Sequence, residues 1–159
     1  MGIAYAQTGK PAEAESAYQK SIELSQGQYA GAYASLAALL CDQKRFAEAE
    51  PAARRAVARD PQDWQGHFHL ARALYGLNQL DDAEKSLNEA VQRKTEYPDF
   101  HLLFANINAR RKDYAAVLKH LDEYLRIAPT GPASESVRQM RERVKQQLAA
   151  GRVASDAKP

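Results

Sequence analysis

Four histidines and one cysteine are the residues best suited to acid–base, nucleophilic or metal chemistry: His67, His69, His101, His120 and Cys41. Their spacing speaks against each use. Two residues apart on a helix, His67 and His69 face different sides and cannot grip one ion. No H-E-x-x-H, paired-cysteine or EF-hand spacing occurs, so no metal is expected. A nucleophilic Cys41 would need a base beside it and a stabilised thiolate. The neighbour it has is Asp42, whose negative charge would push the thiol pKa up, so Cys41 reads as a small helix residue. The acidic pairs Glu48/Glu50 and Asp81–Asp82 stand at expected helix starts, where negative charge suits the helix dipole. The 8 glycines are scattered and form no phosphate loop. Nothing assembles into an active site, so the chain is expected to be no enzyme and to hold no cofactor.

What remains is a surface. The 159 residues are 45% hydrophobic and 26% charged, with 22 basic and 20 acidic residues for a net charge of +2. A balance this close to zero gives no electrostatic drive toward nucleic acid or an anionic membrane. The charge is uneven: residues 1–109 carry 11 Lys/Arg against 14 Asp/Glu, and residues 110–159 carry 11 against 6. The basic end is read as a solvated helix face. A single cysteine builds no internal disulfide. No apolar run reaches the roughly 20 residues of a membrane span, and no basic-then-apolar leader stands at the start.

The elements that must carry this surface show in a period. Small residues recur in register at Gly2, Ala37, Ala71 and Ala105, at Ala14, Ala49 and Ala83, and at Ser21, Ala56 and Ala90; the first series settles into steps of 34 residues. Large apolar residues recur between them: Met1, Leu36, Leu70 and Phe104, then Tyr5, Leu40 and Leu74, then Tyr18, Leu87 and Leu121. Within each half-unit the apolar residues fall three or four apart, one face of an α-helix. Small residues at fixed places let two helix backbones approach closely. The spacing predicts antiparallel helix pairs with turns near Gly9–Lys10, Lys44–Arg45, Asn78–Gln79 and Lys112–Asp113. One pair cannot bury its own apolar face, so pairs must stack.

This pattern resembles the tetratricopeptide repeat, with small residues at repeat positions 8, 20 and 27, large ones at 7, 11 and 24, and Pro61 and Pro129 near position 32. The stretches Phe46-Ala47-Glu48-Ala49-Glu50 and Leu80-Asp81-Asp82-Ala83-Glu84 look like the family's second helix. The resemblance covers about 130 residues and implies a right-handed superhelical solenoid as one domain over residues 1–150. Its units would span 1–27, 30–63, 64–97 and 98–131, followed by a capping helix over 132–149 and a disordered tail over 151–159. Met1 falls at repeat position 7, so the first unit is expected to lack its first six residues and to leave an edge open to self-association.

The resemblance also implies a concave groove lined by the first helices of successive units. The groove positions are Ala34, Ala38, Cys41, Phe68, Arg72, Tyr75, Leu102, Asn106 and Arg110, with Gly31, Gln65 and Asp99 beside them and Ile3 and Gln7 in the first unit. The family's carboxylate clamp would need basic residues and Asn where Ile3, Ser35, Gln65 and His69 stand, so no clamp is expected. Departures lie in the fourth unit, where Asn108, Val117 and Tyr124 replace the usual residues and should alter the local helix angle or loosen the packing. Pro51 lies inside an expected helix and should kink it without breaking it. The expected function is a scaffold that takes a peptide or helix of another protein in this groove, with a homo-oligomer through the N-terminal edge as a further expectation. The alternatives are a nucleic-acid-binding helical repeat, motivated by the basic end, and a regulatory repeat fragment of a larger protein.

Overall fold

The computed structural model describes residues 9–156 together with Gly2, and side chains as far as residue 150. Eight α-helices occur among the described residues, with no strand. They are α1 (Pro11–Leu24), α2 (Ala30–Asp42), α3 (Phe46–Arg59), α4 (Trp64–Gly76), α5 (Leu80–Arg93), α6 (Pro98–Arg110), α7 (Tyr114–Ile127) and α8 (Ser134–Asp156). The fold is an all-α helical-repeat solenoid, with α2/α3, α4/α5 and α6/α7 as helix pairs. None of the described helices is long and apolar enough to cross a membrane. The first half-unit expected at residues 1–8 lies outside the described residues.

Alanine at the repeat's small positions is what the pairs turn inward. Ala37, Ala71 and Ala105 are 0–1% exposed, and Ala14, Ala49 and Ala83 are 0% exposed. With nothing beyond Cβ, each lets a facing helix come close, and the larger Leu74, Leu87 and Leu121 fill the space on either side. Two glycines mark closer approaches still. A Cβ on Gly76 would stand 2.2 Å from the Phe46 ring, and one on Gly66 would press on Val57 and Ala56.

The predicted turns fall where the sequence places them. Gly9, Lys44, Asn78 and Lys112 all adopt positive φ, between 60° and 70°. Each of the last three is followed by a residue whose N–H reaches back across the turn: Arg45 to the Leu40 carbonyl, Gln79 to Leu74 and Asp113 to Asn108, at 2.8–3.0 Å. These bonds close the Schellman ending of a helix. Lys44 and Lys112 hold a left-handed conformation that costs a side-chain-bearing residue about 1 kcal/mol. Of the helices that follow these turns, α7 is capped by a side chain, the Asp113 carboxylate accepting from the Ala116 N–H; elsewhere Asp63 caps α4 by accepting from the Gln65 N–H. Pro51 lies within a continuous α3, so the helix survives the loss of one hydrogen bond, as expected.

The contacts group into two compact units, Met1–Thr95 and Glu96–Pro159. Each has its own core. In the first, Leu40, Cys41, Ala49 and Ala73 cluster with Leu36 and Phe46, and Tyr33, Ala34 and Ala56 cluster with Ile22. In the second, Ala105, Val117, Leu121, Tyr124 and Val137 form one cluster.

The departures at the fourth repeat do not loosen it. Val117 and Tyr124 are 1% and 3% exposed, and Asn108, buried, donates from Nδ2 to the Phe104 carbonyl at 2.9 Å. The larger groups are taken up by α8, whose Val137 enters the same cluster and whose Val144 packs against it. Met140, on the same helix, is 38% exposed. The last helix runs on to Asp156, so residues 151–156 are helical where a tail was expected; residues 157–159 lie outside the described residues.

Two substitutions separate these effects. Ala83→Leu should destabilise the chain by about 1–3 kcal/mol because the facing helix has no room to yield, whereas Ala47→Leu, on an exposed site of α3, should change stability by less than about 0.5 kcal/mol. Lys112→Gly should stabilise it by about 0.5–1 kcal/mol by relieving the left-handed turn. Urea denaturation followed by circular dichroism reads all three.

Candidate functional site

In the first unit, α2 and α4 lie side by side and carry several of the residues that the family resemblance assigns to a groove. Ala34 and Ala38 are four apart on α2 and share a face. With Gln65 and His69, four apart on α4, and with Tyr18 of α1, Ser35, Leu39 and Asp42, they line a cleft of about 170 Å³. The floor is two methyl groups; the rim is an amide, two hydroxyls, an imidazole and a carboxylate.

The charges of the cleft are spoken for within the fold. The Asp42 carboxylate accepts from Arg72 Nη2 at 2.6 Å. The same guanidinium lies 5.9 Å over the Phe68 ring and 3.5 Å from His69 Nδ1. Arginine can only donate, so the Nδ1 facing it is the acceptor and the imidazole carries its proton on Nε2. Burial, aided by the Arg72 charge and opposed by Asp42, lowers the His69 pKa to about 4. The ring is neutral at physiological pH. Ser35 and Tyr18 hydrogen-bond to each other, which offsets part of the burial that raises the tyrosine pKa.

The remaining groove residues of the first unit divide. Cys41 does not reach the cleft: it is 4% exposed, sits in the core with Leu40 and Ala49, and its thiol meets the His69 carbonyl at 3.7 Å. Its pKa rises to about 11, chiefly by burial; Arg72 works against the rise, and the Asp42 charge is the smallest of the three causes. Phe68 is 6% exposed, its ring 6.3 Å from Trp64 and 5.4 Å from His69, so it packs. Tyr75 is half-buried one turn beyond Arg72. In the second unit, Leu102 packs against the Val117 cluster, Asn106 is half-buried and Arg110 is exposed in the last turn of α6. Ile3 and Gln7 lie outside the described residues.

Three features of the cleft and its surroundings escape the groove positions. Asp42 and His69 continue the faces of Ala38 and Gln65 by one helical turn, a signal present in the spacing. Tyr18 comes from a second helix, which no groove rule includes. A larger cleft of about 720 Å³ shares Tyr18 and Ser35 with the first and is lined also by Ala17, Leu24, Tyr29 and Ala32. The histidines do not converge on one point: His67 Nε2 meets the Pro61 carbonyl at 3.0 Å, while His101 and His120 face each other through Nδ1 atoms 3.3 Å apart. His120 also stacks on Phe104. Among the described residues no group of three or more His, Cys, Asp or Glu could hold a metal.

Comparison with known proteins agrees with the helix pairs and their small positions: family models for the tetratricopeptide repeat match residues 1–63 and 40–107. The chain belongs to the tetratricopeptide-repeat family. Human protein O-mannosyl-transferase TMTC1 is 25% identical over 132 residues, 83% of this chain but 15% of that protein, so the chain spans a small part of its length. The solved structure of Pseudomonas aeruginosa pilF matches 94% of this chain and 66% of its own, with 24% identity and a TM-score of 0.77. The Yersinia enterocolitica type III secretion chaperone SycD, solved in complex with a peptide of the translocator YopD, matches 73% of this chain and 92% of its own, with 18% identity and a TM-score of 0.66. Both likenesses speak for the fold alone. As a tetratricopeptide-repeat protein the chain is an interaction scaffold.

The His69 shift has a consequence for stability. The folded chain resists protonating this ring while the unfolded chain accepts a proton near pH 6.5, so folding weakens as pH falls from about 6.5 to about 4. Over that window the wild type should lose on the order of 2 kcal/mol more than His69→Gln, measured by urea denaturation at stepped pH.

Proposed function

We propose that the chain is a non-enzymatic scaffold that takes a peptide of another protein in the cleft between α2 and α4. The observation that carries this reading is the cleft itself: the half-buried Ala38 beside the buried Ala34 leaves a shallow floor of small residues, rimmed by the donors and acceptors of Ser35, Gln65 and His69. At about 170 Å³ it is smaller than the roughly 300–1,000 Å³ of small-molecule sites, so it suits part of an extended chain. The peptide held by SycD, a protein of similar fold, supports a peptide over a metabolite. Arg72 ties α4 to α2 through Asp42, which lines the cleft.

A second reading, self-association, is favoured by the larger cleft. It is lined by Leu24, 78% exposed, and Tyr29, 58% exposed. Apolar groups so open to water gain most by being covered. A nucleic-acid reading rests only on the basic end, much of which is paired: Arg126 with Glu123, Arg138 with Glu135, and Arg141 with Asp122.

Phage-displayed random peptides selected on the immobilised chain test the first reading. Enrichment is expected on the wild type and a loss of at least about tenfold in binding on Ala38→Leu, which fills the floor. Equal binding to both, or no enrichment, defeats the groove. Light scattering of the same samples over a concentration series tests the second: a dimer that reverts to monomer in Leu24→Ser/Tyr29→Ser is expected, and a monomer at every concentration rules it out.

A further inference from the structure

The charge state of the α2/α4 cleft narrows what it can hold, and this inference rests on the peptide reading above. A ligand's carboxylate needs a cation to meet it, and a ligand's cation needs a carboxylate. The lining offers neither in spare form. Asp42 is the one carboxylate of the lining, and Arg72, at 2.6 Å, already answers it. Arg72 in turn is held by Asp42, by the face of Phe68 and by His69. His69 is neutral, and becomes a cation only by placing a proton on the nitrogen that faces Arg72. The remaining polar groups, the Gln65 amide and the Ser35 and Tyr18 hydroxyls, are neutral and can each give or accept a hydrogen bond. Amide and hydroxyl groups of this kind match the N–H and C=O of an extended main chain. The small Ala38 side chain, half-buried on α2, lets that main chain come close, while the small volume leaves no room for a long side chain.

We infer that the cleft recognises an uncharged internal stretch of extended peptide bearing small side chains (Gly, Ala or Ser), and that it discriminates against terminal carboxylates and against charged residues. Desolvating a ligand charge here would go uncompensated, because both protein charges are already satisfied by each other.

The test uses the full chain and two random dodecapeptide phage libraries, one ending in a free carboxylate and one with the peptide fused at both ends. Selected sequences are made as labelled peptides and titrated by fluorescence anisotropy from about 50 to about 500 mM NaCl. The expected result is enrichment from the doubly fused library of peptides sharing an uncharged run of Gly, Ala and Ser. Their affinity should change less than about twofold with salt, and it should weaken at least about fivefold in both Ala38→Leu and Gln65→Ala while thermal melts stay in place. Gln65 is exposed, so its truncation leaves a folded comparison even if Ala38→Leu disturbs packing. Peptides that require the free carboxylate, or that place charged residues in the shared run and lose more than about fivefold in affinity at high salt, overturn this inference and leave the groove standing. Peptides indifferent to both variants, or no enriched peptide, overturn the inference and the groove together.

Discussion

The distance between neighbouring helix backbones governs this molecule, and alanine side chains set it. A helix pair can nest only where one surface offers a hole for the other's ridge. At Ala14, Ala49 and Ala83, and again at Ala37, Ala71 and Ala105, the hole is made by leaving atoms out, and these positions are almost wholly sealed from water. Their own burial contributes little area. Their effect is indirect: they bring Leu74, Leu87 and Leu121 into full contact, where burial of large apolar groups supplies most of the stabilisation. The same economy shapes the cleft, since Ala34 and Ala38, which line it, are both small residues on α2.

Polar interactions work within this frame as ties between elements. Arg45 joins Glu15 of α1 to Glu48 of α3, with 2.6 Å contacts to each, and its guanidinium pKa is raised by these hydrogen bonds. Arg93 donates to the Pro61 carbonyl from one repeat to the connector before it, and Arg59 does the same to Gln28. Exposed pairs of this kind each add little stability, but they bias register. The Asp42–Arg72 pair is a tie of the same type that borders the cleft, and it pairs the cleft's one carboxylate with Arg72.

Much of this was legible in the chain because a repeat writes its pattern several times. A period of 34 residues named the helix pairs, and the turn residues Lys44, Asn78 and Lys112 fell at the left-handed positions that end each first helix. The same spacing put Ala34 and Ala38 on one face of α2, of which only Ala38 is partly exposed. It misjudged Cys41, because helical spacing gives an angle around one helix and says nothing of how deeply a neighbour covers it. It missed Tyr18, which reaches the cleft from a different helix. It expected looseness at Val117 and Tyr124, where α8 accepts the larger groups through Val137.

By itself the sequence determined the kind of helix, its length, its ends and which residues are small, since these follow from local backbone chemistry repeated at a fixed interval. Only the tertiary structure decided which charges remain for a partner. Whether Arg72 is a binding head or a brace depends on a carboxylate 30 residues away coming within 2.6 Å, and distances between residues far apart in sequence are set by packing alone.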